Sequence, residues 1–415
     1  MILNKKYTII YYSFLYLSLL IGFYFGEDFA GGFEGDHKLH NQLINWIFNE
    51  SILYGLLNYD NYDVPHSPLF IIYIISLKKI FLYDEIIRLI NLHFILLIPF
   101  FFYLSLKLKF KIKNDDLRTL IPSIFFFSPY FRSGSFWMDD NMFAISFISI
   151  SIYFFIRYEE QNKNLKNILL SALFLAFASY FRPIYSIFSL YFFLKFFIDL
   201  RFNYKMWIYI LFNLILSLPA FYYVFVLDIN RWATNHLFRE NIITVISLVS
   251  SLIFFYFLPI LLNKDKLLLK KILSFKGSII FLLSLSLLLL FFEYEKPYSG
   301  GIFLKASNLL FDNNYLFFLI TSLGVVTLYT IFFTGNKIYI FDIILLFILF
   351  LFEMDGVIYH ETYDPLLYIL IFLLFKNIFF INYINKFNKN NFFILILFLS
   401  IFYFFAVFKD FILFS

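Results

Sequence analysis

Apolar runs recur along almost the whole chain with only short polar breaks, and that pattern leaves one class of fold open. Hydrophobic residues make up 62% of the 415 positions, 66 of them Phe, and the mean hydropathy is +0.81. Several runs approach the ~20 residues a helix needs to cross a bilayer. Backbone groups in lipid must find partners within their own segment, so such runs are helices. The sequence therefore predicts an all-α polytopic membrane protein. The lean toward Phe, Ile, Leu, Asn and Lys, with 13 Gly and 10 Pro, fits an AT-rich genome and makes much of the Phe lipid-facing filler. With no Cys, disulfides and thiolate metal sites are excluded. The net charge of +5 is too small to point to nucleic acid, and no nucleic-acid partner is expected.

Charged residues and Pro or Gly breaks punctuate the chain. Expected spans lie near 7–25, 86–106, 119–131, 141–156, 168–181, 184–198, 206–227, 242–262, 277–292, 315–333, 338–352, 365–381 and 391–408, about thirteen transmembrane helices in one transmembrane domain over 1–415. Lys5 and Lys6 precede the first run, which is longer than a signal-peptide core and reads as an uncleaved span. The segment 69–83, LFIIYIISLKKIFLY, carries Lys78 and Lys79 and reads as an interfacial helix. With that choice most of the 33 Lys and Arg fall on one side, the inferred cytoplasm, with the N-terminus inside. Most of the 28 Asp and Glu fall on the outer side. Acidic residues do little to orient a membrane protein, so their excess there needs another reason.

The longest polar interruption is the first outer loop, 26–85, expected to hold juxtamembrane helices. It contains GDHKLH, with Asp36, His37, Lys38 and His40, and closes on Pro65, His66, Ser67 and Pro68. Asp36 and His40 are one helical turn apart. Asp36 there suits a general base on an acceptor hydroxyl, or equally a solvated capping carboxylate. A metal held by Asp36, His37 and His40 has no further ligand in sight, although a divalent metal stays open.

A second loop, SPYFRSGSFWMDDN, sets Arg132, Trp137, Asp139, Asp140 and Asn141 between two short spans. Its carboxylates read either as a catalytic or sugar-binding group or as the cap of a helix. Arg182, in SYFRP, has no acidic neighbour in sequence and needs an anion, from Asp139 or from a lipid phosphate. Arg231 and Lys305 add cations on the same side, and Glu353 to Asp364 bring His360 and Glu361 in an acceptor-rich loop suited to a hydroxyl-rich ligand. No Walker-type glycine motif appears, against an ATP-driven transporter, and no clear internal repeat favours a secondary transporter.

Taken in order, these residues resemble the GT-C class of integral-membrane glycosyltransferases. GDHKLH is similar to the Asp-Glu-x-x-His signature of their first loop, with His37 in place of Glu. YDNYDVPHSPLF resembles the following Pro-Pro turn, with His66 and Ser67 replacing one Pro. YDEIIRLINL resembles their acidic-plus-Arg start to the second span, and SYFRP the arginine-bearing span of the dolichyl-phosphoglucose glucosyltransferases. The ordered likeness covers about the first 200 residues. It implies a GT-C-like fold and transfer of a sugar from a polyprenyl-phosphate donor to a hydroxyl on a glycan, lipid or protein acceptor. Asp36 would be the general base, and Asp139 or Asp140 would orient the sugar or assist. Arg182, Arg132, Lys38, Arg231 and Lys305 would supply cations for the donor phosphate. His40, His66, Trp137, Asn141, His360 and Glu361 would line the substrate site. No cofactor is implied beyond the lipid-linked donor. The expected setting is a bacterial inner membrane with the site facing the periplasm. A transporter or flippase for a lipid-linked saccharide is the alternative, and a polysaccharide polymerase a third reading.

Overall fold

A computed structural model describes residues 5–48, 51–57, 59, 67–81, 83–113, 116–161, 163–226, 242–262, 270–296, 299–334, 338–352 and 357–413. Every regular element among them is a helix. The chain divides into two compact units, one of Met1–Trp232 with Leu399–Ser415 and one of Ala233–Phe398.

The first unit begins with α1 (Lys5–Tyr24), a single apolar run. After it, α2 (Phe33–Phe48) is amphipathic, burying Phe33, His37, His40 and Ile44 at helical spacing while Asp36, Lys38 and Leu39 face outward. Its start is fixed by Asp28, whose carboxylate accepts from the backbone N–H groups of Phe33 (3.2 Å) and Glu34 (3.0 Å). A short α3 (Ile52–Leu57) follows, then α4 (Pro68–Ile80). Pro68 opens α4 where a missing N–H costs nothing, and the Ser67 hydroxyl donates to the Tyr180 carbonyl. With 13 residues α4 is about 20 Å long, too short to cross.

α5 (Asp84–Ile95) and α6 (Leu97–Lys109) form one 26-residue apolar stretch with a turn at Leu96, ahead of Pro99. The segment near 119–131, expected as a span, is instead an 11-residue 3-10 helix (Leu117–Phe127) and the start of α7 (Pro129–Phe136). Pro122 inside it removes a backbone donor, and Asp116 and Ser128 cap the two elements. α8 (Asp140–Glu160) is the buried centre of the unit and lies along α9 (Leu165–Phe181). Small residues let the two approach closely, and the Ser151 hydroxyl donates to the Ser171 carbonyl at 2.7 Å. α10 (Phe188–Leu200) and α11 (Tyr204–Phe221) follow, and the part of helix Lys389–Leu413 from Leu399 onward belongs to the same unit.

In the second unit Ile242–Leu261 is the buried helix, packed against Tyr315–Phe333. Helix Gly301–Phe311 starts on two positive-φ glycines, and a Cβ on Gly301 would meet the Leu252 side chain. The helices His360–Leu373 and Ile378–Asn385 together match a span but meet at 86°. At that break the Lys376 N–H donates to the Asp342 carboxylate (2.8 Å), and the Asn377 side-chain amide donates to the Ile331 carbonyl (2.7 Å).

Among the described residues eight helices are long and apolar enough to cross a membrane, or nine counting the bent pair, so the expected count of thirteen is not reached on length. Expected spans such as 168–181, 277–292 and 338–352 fall on apolar helices of 10–17 residues. The architecture is that of a polytopic, all-helical integral membrane protein.

Candidate functional site

At one end of the first unit the C-terminal end of α1, the N-terminal ends of α5 and α8 and the C-terminal end of α9 meet, with α2 and α7 across them. Three pairs form a layer there, two between opposite charges and one between a histidine and a carboxylate. The first is Glu27–Arg132, with Arg132 Nε donating to Glu27 Oε1 (2.8 Å) and Nη2 to Oε2 (2.7 Å). Arg132 Nη1 reaches the Ser18 hydroxyl and the Phe126 carbonyl, and Nη2 the Ser18 carbonyl, so every guanidinium N–H is used. Burial disfavours the Arg132 charge, but Glu27 more than offsets it and the guanidinium pKa sits above its ordinary value. Arg132, expected to face a donor phosphate, is a structural anchor with no donor left over. No local sequence signal gives this, because Glu27 lies 105 residues away.

The second pair is His37–Asp84, Nε2 to Oδ2 at 2.8 Å. Trp137 packs on it, its ring 5.8 Å from that of His37, and the Arg88 guanidinium stacks over the Trp137 ring 3.7 Å from its centroid. Arg88 Nε donates to the Phe136 carbonyl (2.7 Å), which ties α5 to α7. The Trp137 indole N–H donates to the Glu27 carbonyl (3.0 Å), so this residue, expected to bind substrate, spends its polar group joining the first two pairs. Asn41 lies beside His37 and accepts from Lys78 on α4 (2.7 Å). Burial pulls the Lys78 ammonium below its ordinary pKa, with Asp84 opposing.

Third, Asp140 Oδ1 lies 3.7 Å from Arg182 Nη1, a looser contact with Arg182 24% exposed. Arg182 ends α9 and Asp140 begins α8, so this pair closes the two most closely packed helices. Tyr59 lies close enough to feel the Asp140 charge, and burial raises its phenol well above the ordinary value. Beneath the pair Phe143 and Phe181 stack at 5.3 Å, and Phe70 links them to His40, 5.0 Å away edge-on.

The remaining expected residues divide. Asp139 accepts from the Met142 N–H (3.0 Å), the helix-capping alternative for that carboxylate. Asn141 accepts from the Tyr185 hydroxyl (2.8 Å). Lys38 is exposed and pairs with Glu34 at 2.7 Å one turn away, not with the layer. Asp36 is exposed on the outward face of α2. His360, Glu361 and Lys305 belong to the second unit, where His360 is buried with Nε2 2.9 Å from the Tyr256 hydroxyl. Arg231 and His66 lie outside the described residues. Asp84 and Arg88 were not among the expected site residues. Their one signal was a carboxylate and a cation one turn apart at the start of an apolar run. Among the described residues no three His, Asp or Glu side chains are grouped to hold a metal.

An apolar cavity of about 520 Å³ adjoins this layer, lined by Tyr12, Tyr16, Pro99, Phe100 and Phe126 among others. Phe126 both lines it and gives its carbonyl to Arg132 (3.4 Å). Comparison with family models, with curated proteins and with solved structures returns no match.

Proposed function

We propose that the protein is a GT-C-like glycosyltransferase that moves a sugar from a polyprenyl-phosphate donor to a hydroxyl acceptor at the charged end of the first unit, on the periplasmic face of a bacterial inner membrane. The observation that carries this reading is the loose, partly exposed Asp140–Arg182 pair where two packed spans end. A contact of 3.7 Å falls short of a hydrogen bond. A phosphate at this end can compete with Asp140 for the guanidinium, and the Asp140 carboxylate can accept from sugar hydroxyls. Charge develops on the leaving phosphate, where a positioned cation helps most. The tyrosine-lined cavity beside α1 suits an apolar lipid chain at the depth of the spans. The resemblance places the base on α2, at Asp36.

The test is transfer from a panel of polyprenyl monophosphate sugars by the purified protein. Turnover with one donor, falling on the order of 10²–10³-fold in Arg182→Gln, is the expected result. An Arg182→Gln protein as active as wild type would remove Arg182 from the site. A folded wild-type protein that turns over no donor would sink the reading.

The bent helix pair in the second unit supports the alternative of a transporter or flippase for a lipid-linked saccharide, because broken spans commonly line translocation paths. Flipping of a fluorescent lipid-linked saccharide in proteoliposomes, without sugar transfer, would favour that reading.

A further inference from the structure

We propose that His37, oriented by Asp84, is the general base for the acceptor hydroxyl in place of the exposed Asp36; this assignment rests on the transfer reaction above. The Asp84 carboxylate lies 2.8 Å from His37 Nε2. An ionised carboxylate only accepts hydrogen bonds, so Nε2 carries the hydrogen and the neutral ring keeps its lone pair on Nδ1. Asn41 Nδ2 is 3.0 Å from the same Nε2, with its amide oxygen held by Lys78. The carboxylate is nearer and charged, and takes the hydrogen. Nδ1 is buried and has no partner among the described residues. His37 itself is 4% exposed, and a buried acceptor left without a donor is uncommon enough to need a reason. A hydroxyl delivered by the acceptor supplies that donor.

The surroundings suit a group that becomes positive during the reaction. Around His37 stand the buried His40 and the Glu34–Lys38 pair on its own helix, Lys78 on α4, and Asp84 and Arg88 on α5, Arg88 itself feeling Glu85 and Glu34, with the uncharged Trp137 after α7. Asp84 makes the direct contact, and it stabilises the imidazolium as the proton arrives. Asp84 Oδ1 and Arg88 Nη2 are likewise buried without partners among the described residues, giving an acceptor and a donor for neighbouring ligand groups.

In the step, the acceptor O–H gives its proton to Nδ1 while its oxygen forms the bond to the anomeric carbon. The bond from that carbon to the lipid phosphate oxygen breaks, and its electron pair stays on the phosphate as polyprenyl monophosphate. The imidazolium releases its proton to solvent after products leave.

The experiment compares wild type with His37→Gln, Asp84→Asn and Asp36→Asn in the full chain, using whichever polyprenyl monophosphate sugar wild type turns over. A base must be unprotonated, so wild-type kcat falls on acidification. His37→Gln should lower kcat about 10²–10⁴-fold and abolish that acid limb. Asp84→Asn should lower kcat and move the limb, and Asp36→Asn should keep the acid limb that His37→Gln abolishes. Nitrogen-15 histidine spectra report the ring without activity, and show that the variants fold. They should give the Nε2–H tautomer in wild type and a mixture in Asp84→Asn. A wild-type Nδ1–H tautomer would overturn the assignment. So would a His37→Gln enzyme that keeps kcat and its acid limb while Asp36→Asn loses both, and sugar transfer would then stand with Asp36 as base. Failure of folded wild type to use any donor would remove the transfer reading and this assignment together.

Discussion

Arg132 shows most directly how single residues set the layer. Both members of its pair with Glu27 are almost fully buried, so removing one leaves an uncompensated charge. Glu27→Gln or Arg132→Met alone is expected to cost about 3–5 kcal/mol, and the double variant less than either. Thermal melts in detergent would measure this, and a Glu27→Gln protein melting like wild type would contradict it. Gly22 guards the same pair. A Cβ there would run into the Glu27 carboxylate, the Arg132 guanidinium and the Phe136 ring. Gly22→Ala should therefore lower the melting temperature as Glu27→Gln does. Those consequences were not readable from the residues, since Gly22, Glu27 and Arg132 look like a small helix residue, a loop acid and a loop base.

At the scale of elements, the helix starts carry the polar groups. Asp28 holds the first turn of α2, the helix that presents His37 and His40 to the layer. Asp28→Ala should loosen that turn by about 1 kcal/mol. Faster amide exchange in α2 with α8 unchanged is the expected outcome, and equal acceleration in both would argue for a global effect instead. Asp116 caps the 3-10 helix and binds Arg118 with the same carboxylate. Burial raises its pKa, but Arg118 outweighs this and the net shift is downward. A depressed carboxylate stabilises the fold above its unfolded value of 3.8 and loses that contribution as pH falls through the depressed value. The melting difference between wild type and Asp116→Asn should accordingly be full near neutrality and shrink below pH 3.8. Caps of this kind were legible: Asp139 follows the Asp/Asn rule for a helix start, and the structure gives it that contact.

For the whole molecule, the question is which segments cross. The charge asymmetry of the sequence predicts Lys38 and the 107–113 lysines on opposite faces, and the Asp84–Lys109 stretch is long enough to separate them. Because the chain has no cysteine, single-cysteine reporters at Lys38 and Lys113 can be labelled one at a time. Impermeant reagent should reach them from opposite sides of a sealed vesicle. Labelling from one side would mean that Asp84–Lys109 does not cross. Punctuation alone marks thirteen apolar runs where length and composition support eight or nine crossing helices among the described residues, because an apolar run marks burial equally in lipid and in protein. The 3-10 segment Leu117–Phe127 is apolar and packed inside its unit, with Thr119 to Phe126 all buried.

By itself the sequence determined the helical, membrane-spanning class, the presence of helices in the first long polar interruption and which carboxylates could cap a helix start. These depend on hydropathy, on a 3.6-residue period and on neighbours within one turn, all of which are local. Only the tertiary structure decided which charge meets which. Glu27 joins Arg132 across 105 residues, His37 joins Asp84 across 47, and Asp140 meets Arg182 from a neighbouring helix. The physical reason is that a charge buried at a membrane boundary takes whatever counter-charge packing brings within reach, and packing is settled by helix faces that no short stretch of sequence contains.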